Sequence, residues 1–121
     1  MTANESNLKP MNQLIKHECG IDLQADRYKY VGMEDIPGFE AIHNAQKVDI
    51  QKLQPGIVER AIAATRMYPK ARCFIMECTQ SSCFSNAVRK ATGLPVFDCI
   101  TNCDYLMSAH MSNPRFGLQD W

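Results

Sequence analysis

Residues 73–76, Cys-Phe-Ile-Met, form an unbroken apolar run that stops at Glu77-Cys78, and Thr79, Gln80, Ser81 and Ser82 follow as a polar stretch. A short continuous apolar run is the pattern of a parallel strand covered on both faces. Parallel pairing in turn requires crossover connections, usually helices. The polar switch places Cys78 at the carboxyl end of that strand, where open α/β sheets bind their ligands. Cys78 is therefore the first candidate for chemistry.

The flanking sequence fits alternating strands and helices. Ile50, Leu53, Ile57, Ala61, Ala64 and Tyr68 recur every three or four residues, as on an amphipathic helix. Pro55 interrupts this stripe, so the regular helix is expected to start there, with 49–54 as a loose turn. Ser81 or Ser82 can cap a helix over 83–92 whose inward face is Phe84, Ala87, Val88 and Ala91, and Gly93 closes it. Leu94-Pro95-Val96-Phe97 reads as another strand, and Tyr28 to Met33 as an earlier one. Asp98 or Thr101 can begin a last helix carrying Ile100, Cys103, Leu106, Met107 and a packed His110, broken by Asn113-Pro114. A short helix from Pro10 to Cys19 stops at Gly20.

The expected fold is α/β: a small parallel sheet of strands 27–33, 72–77 and 94–97, flanked by helices near 55–67, 83–92 and 99–111. Residues 1–26 form a linker-like segment with a short helix, 27–112 the α/β domain, and 113–121 a C-terminal tail. Three parallel strands leave exposed sheet edges. The chain therefore reads as a homo-oligomer subunit or as the mate of a partner α/β domain.

Thirteen basic residues balance thirteen acidic ones over 121 residues. With no basic stripe among aromatics, nucleic acid is not an expected partner. No apolar stretch approaches the ~20 residues of a membrane span, so no membrane association is expected. A polar N-terminus without a secretory signal suggests a cytoplasmic protein with six free thiols.

Three motifs in register resemble a family: Val31-Gly32-Met33-Glu34-Asp35-Ile36-Pro37-Gly38-Phe39, then Glu77-Cys78-Thr79, then Thr92-Gly93-Leu94-Pro95-Val96-Phe97-Asp98 with Thr101. Together they resemble the C-terminal half of aspartate/glutamate racemase-like proteins. The resemblance implies two α/β domains facing across a cleft, one cysteine from each, and proton transfer at a carbon next to a carboxylate without a cofactor. Cys78 would be the catalytic thiol. Thr79 would hold a substrate carboxylate, with Gln80 standing where relatives often carry His or Glu. The family's N-terminal domain has no counterpart in this chain. One of two bases is thus missing, and the chain alone is expected to be weak or inactive without a partner domain. The alternative is a truncated, non-catalytic α/β domain that self-associates or binds a partner.

Glu34 and Asp35 follow the first strand and Asp98 and Thr101 the third, so all four join Cys78 on one rim as candidate substrate-binding groups. Turn-forming and capping roles explain the same residues without function. Glu77 points away from Cys78 and suits an ion pair or cap. Cys78-x4-Cys83 and Cys99-x3-Cys103 miss the short pairs of structural zinc, and no metal is expected.

Overall fold

A computed structural model of the chain describes residues 1–23 and 25–111. Its ordered elements are α1 (Glu5–Leu8), α2 (Asn12–Cys19), α3 (Glu40–His43), α4 (Ile50–Met67), β1 (Phe74–Ile75), α5 (Ser85–Thr92), β2 (Val96–Phe97) and α6 (Cys99–Ser108), with 3-10 turns at Lys9–Met11 and Thr79–Phe84. The architecture is α/β, as the alternation of apolar runs and stripes requires.

β1 and β2 pair in parallel, Phe74 beside Val96 and Ile75 beside Phe97. The expected strand over 27–33 reduces to a single parallel bridge between Gly32 and Thr2. The cause is the N-terminus, which takes the place beside β1. The Met1 amine donates to the Ile75 carbonyl at 2.6 Å, and the Glu77 amide donates to the Met1 carbonyl at 3.0 Å. On the other side, the Thr2 amide donates to Val31 and the Met33 amide to Thr2, both at 3.0 Å. Four segments therefore run side by side in the order 31–33, 1–2, 74–77, 95–97. Two residues of the segment 1–26, Met1 and Thr2, are thus members of the sheet. Burial holds the Met1 ammonium down to a pKa of about 6, against the opposing pull of the Glu77 carboxylate.

One face of this sheet carries the core. Phe74, Met76 and Val96 pack with Leu53, Ile57, Ala61, Phe84 and Val88 from the helices, and with Met33, Ile36 and Phe39 from the first loop. The opposite face is open: Ile75 and Phe97 remain 55% and 54% exposed. The expectation of a strand covered on both faces is therefore corrected to cover on one. His110, expected to be packed on the last helix, lies just past the end of α6 and is exposed, as is the last turn of that helix. The Asn113-Pro114 break and the tail 113–121 lie outside the described residues.

α4 starts at Ile50 and not at Pro55, and the physics of that correction is simple. The Asp49 carboxylate accepts from the Lys52 amide at 3.1 Å and caps the first turn. A proline inside a helix costs about 3 kcal/mol. Burying Leu53 and Ile57 on either side, 1% and 0% exposed, offsets it at about 1.5–3 kcal/mol each. Of the inward face expected for the helix over 83–92, Phe84 and Val88 are buried, but Ala87 is half-buried and Ala91 exposed, and Ser81 and Ser85 are buried instead. The 3-10 turn at Thr79–Phe84 advances the helical phase before α5 begins. Gly20 and Gly93 close their helices in the left-handed conformation, with φ of 68° and 69°.

Gly56 shows how tightly α4 meets the first loop. A Cβ there would sit 2.6 Å from the Ile36 Cγ2, and Ile36 is buried and β-branched. Gly56→Ala should therefore destabilise the fold by about 1–3 kcal/mol, although alanine is the better helix former by about 1 kcal/mol. Pairing it with Ile36→Ala should make the second substitution cost less than it does alone. Urea denaturation of the three variants checks this, and a more stable Gly56→Ala protein would contradict the contact.

Candidate functional site

Parallel strands share one carboxyl rim, and here it gathers the ends of all four segments. Glu34 and Asp35 follow the first, Ala3 and Asn4 the second, Cys78 and Thr79 the third, Asp98 and Thr101 the fourth. Strand spacing of about 4.8 Å puts the Glu34-Asp35 turn about 10 Å from the end of β1. Asp98 stands one spacing away on the other side.

Cys78 occupies the corner between β1 and the helical run that begins at Thr79. Its backbone is extended, with φ −74° and ψ 126°, and its carbonyl accepts from the Ser81 amide at 2.9 Å. No side chain caps this helical start. The Cys78 side chain is half-buried and packs against the core, whereas Thr79 and Gln80 are exposed on the rim.

Two further thiols stand nearby. Cys83 donates to the Gln80 carbonyl at 3.2 Å, and Cys99 approaches the Thr79 carbonyl at 3.8 Å. Burial pushes the Cys83 thiol up, and negative charge on Cys78 acts in the same direction. All six cysteines are free. Among the described residues, no group of three or more His, Cys, Asp or Glu side chains is placed to hold a metal ion.

Ser81 and Ser82 do not cap as expected. Ser81 is fully buried with no hydrogen-bond partner for its hydroxyl, and the Ser82 hydroxyl donates to the Thr79 carbonyl at 2.8 Å.

The remaining rim candidates all have protein partners. Asp98 and Thr101 form a capping box: the Thr101 amide donates to the Asp98 carboxylate at 2.7 Å, and the Asp98 amide donates to the Thr101 hydroxyl at 2.8 Å. Burial would raise the Asp98 carboxyl, but the Ser85 hydroxyl and the Thr101 and Ile100 amides outweigh it and hold it below the usual carboxylate range.

Asp35 is held by Arg60, whose Nη2 lies 2.7 Å and 2.8 Å from its two carboxylate oxygens while Nη1 donates to the Gly32 carbonyl. The hydrogen bond from Arg60 keeps the Asp35 carboxyl low. Glu34 accepts from the Glu5 amide at 3.2 Å, at the start of α1. Glu77 takes a hydrogen bond from the Thr2 hydroxyl at 3.0 Å, where an ion pair or a cap was expected.

A concave region of about 720 Å³ lies between β2 and α6 and is lined by Arg89, Leu94, Phe97, Asp98, Thr101 and Tyr105 among others. It touches two of the rim candidates, Asp98 and Thr101, but Cys78 does not line it. Sequence reasoning missed Cys99 as a rim residue. The signal was present, because a cap at Asp98 makes Cys99 the first residue of α6 and sets it beside the strand end.

Curated relatives match nearly the whole chain. It is 46% identical over 124 residues to dimethylsulfoniopropionate lyase 7 of Emiliania huxleyi (strain CCMP1516), which covers 99% of this chain and 36% of that protein. It is 42% identical over 120 residues to the dimethylsulfoniopropionate lyase of Durusdinium sp. clade D, covering 99% of this chain and 40% of that one. A third relative, dimethylsulfoniopropionate lyase 5 of Emiliania huxleyi, is 37% identical over 121 residues, 24% of its length. The chain thus spans about a third of the length of the first two relatives. No protein-family model matches it, and no solved structure matches it significantly.

These relatives correct the racemase expectation: they are named lyases, and neither racemase nor isomerase describes them. The physical reason for the error is local. A Cys-Thr pair at a strand end specifies where a thiol stands, not which bond breaks after a proton leaves.

The capping box gives a test of the rim's rigidity. Asp98→Ala should cost about 0.5–2 kcal/mol at neutral pH. Because the folded carboxyl is held low, its contribution is present above the ordinary carboxylate range and is lost as pH falls through the folded value. The stability gap between wild type and Asp98→Ala should therefore narrow in acid. Denaturant titrations at neutral and acid pH check it, and a gap that widens on acidification would contradict the assignment.

Proposed function

We propose that this chain carries the thiol-bearing part of a lyase that acts on dimethylsulfoniopropionate, with Cys78 as the base. The observation that supports this reading most directly is the half-buried Cys78 on the carboxyl rim of the sheet, in a chain that matches lyases of that name along nearly its whole length.

The substrate's name defines its chemistry: a propionate with a dimethylsulfonium on its third carbon. A lyase reaction on it is a β-elimination. The Cys78 thiolate takes a proton from the carbon beside the carboxylate. The electron pair of that C–H bond becomes the new C=C bond, and the C–S bond breaks with its pair moving to sulfur. The products are acrylate, neutral dimethyl sulfide and a protonated Cys78. Charge and electrons balance with no redox partner and no cofactor.

The proton leaves a very weak carbon acid, so the carboxylate beside it needs donors that strengthen as enolate character grows. In this reading Thr79 supplies such donors through its amide and hydroxyl, and Gln80 through its side-chain amide. Asp98 and Thr101 act on the same substrate indirectly, by fixing where α6 starts and hence the wall beside Thr79. Glu34 and Asp35, two strand spacings away, shape the far side of the rim. A small carboxylate substrate is the partner this set of groups suits.

The decisive experiment transplants the chain. A chimera in which it replaces the matching third of the Emiliania huxleyi relative should release dimethyl sulfide from dimethylsulfoniopropionate. Cys78→Ser in that chimera should lower the rate by about 10²–10⁴-fold, the usual contribution of a positioned base, while Cys103→Ser should leave it unchanged. Headspace gas chromatography reads the product. Equal release by the Cys78→Ser chimera would overturn the role given to this thiol.

A further inference from the structure

Arg89 is a cation pinned in place by neutral groups. In the last turn of α5, its Nη1 donates to the Asn86 side chain at 2.7 Å and its Nη2 to the Val96 carbonyl at 3.0 Å. Among the described residues no carboxylate pairs with it, whereas Arg60 is paired with Asp35. The two bonds hold the guanidinium against the edge of β2 and leave the rest of its N–H fork free. Arg89 is half-buried and lines the groove of about 720 Å³ between β2 and α6. That volume lies in the range of small-molecule sites, about 300–1,000 Å³.

The rest of the groove sets what such a ligand looks like. Leu94 and Phe97 line it from the β2 side and Tyr105 from α6. Phe97 and Tyr105 stay 54% and 76% exposed, so an apolar body laid in the groove covers aromatic surface that is otherwise wet. Asp98 is the one carboxylate in the lining, and it is spoken for: it is 9% exposed and accepts from the Thr101 amide at 2.7 Å in the capping box. The charged group able to meet a ligand is therefore Arg89, with the Asn102 side-chain amide as a further donor in the same lining. A guanidinium fork matches the plane of a carboxylate. A single guanidinium in a lining that also holds a carboxylate suits one negative charge and disfavours a dianion such as phosphate.

We infer that this groove is a binding site for a monocarboxylate with a flat apolar body. The carboxylate lies on the Arg89 guanidinium, and the body lies against Leu94, Phe97 and Tyr105. Such a ligand bridges the end of α5 and the start of α6 across β2. The site does not rest on the elimination proposed for Cys78, which is not part of the groove lining.

The probe is trans-cinnamate, a flat aryl monocarboxylate, titrated calorimetrically into the intact chain at neutral pH. It should bind with a Kd between about 10 µM and 1 mM, and the amides of Leu94 and Phe97 should shift in NMR spectra as it does. Cinnamamide, the uncharged counterpart, should bind wild type at least about tenfold more weakly, as should cinnamate with Arg89→Gln. Tyr105→Ala, at a position exposed enough to place no burden on folding, should weaken cinnamate several-fold. Arg66→Gln, at an exposed arginine of α4, should leave binding unchanged. Absence of saturable cinnamate binding overturns the proposal. So does equal binding of the amide, inorganic phosphate binding as tightly as cinnamate, binding that survives both groove variants, or equal weakening by Arg66→Gln.

Discussion

Two residues at the start of the chain hold the sheet together. Met1 and Thr2 lie between β1 and the segment 31–33, and four main-chain hydrogen bonds of 2.6–3.0 Å tie them to both neighbours. Each such bond contributes only about 0.5–1.5 kcal/mol net. What they secure is larger. Met33, Ile36 and Phe39, all 5% exposed or less, depend on that docking to reach the core built by α4 and α5. The insertion also costs something, since burial holds the Met1 amine near a pKa of 6 and penalises its charged form. The buried apolar surface behind it outweighs that penalty.

The site depends on this order. Because all four segments run parallel, their carboxyl ends face one rim, and each rim group owes its place to a separate local device. Cys78 is set by the end of β1, Asp98 and Thr101 by the capping box of α6, and Asp35 by the Arg60 guanidinium. None of these devices is catalytic in itself. They leave Cys78, Thr79 and Gln80 as the rim side chains whose polar atoms are least committed to holding the fold, and the proposed elimination calls on those three.

Much of this was legible in the sequence where the signal is local. The apolar run through Met76, the strand at Val96-Phe97, the Asp98 cap and the glycine stops at Gly20 and Gly93 all follow from chemistry within a few residues. The failures share one cause, which is that they depend on distant partners. Nothing near Met1 reveals that it will pair with residues some 75 positions away. Pro55 argued locally for a helix start, and only the burial of Leu53 and Ile57 against the rest of the core reverses it. His110 and the α6 stripe matched a packed helix, but what would cover that face is not within the described residues. The functional error had the same character: a thiol at a strand end was read correctly as a place, but the place does not name the reaction.

The arrangement stands or falls on the Met1-Thr2 insertion, and amide hydrogen exchange measured by NMR tests it residue by residue. The amides of Thr2, Met33 and Glu77 should exchange as slowly as those of Phe74 and Met76, to within about tenfold, because all five bond within one cooperative sheet. If Phe74 and Met76 are protected while Thr2, Met33 and Glu77 exchange at the rate of free chain, the sheet has two strands and not four segments. The rim that sets Glu34 two spacings from Cys78 would then not exist.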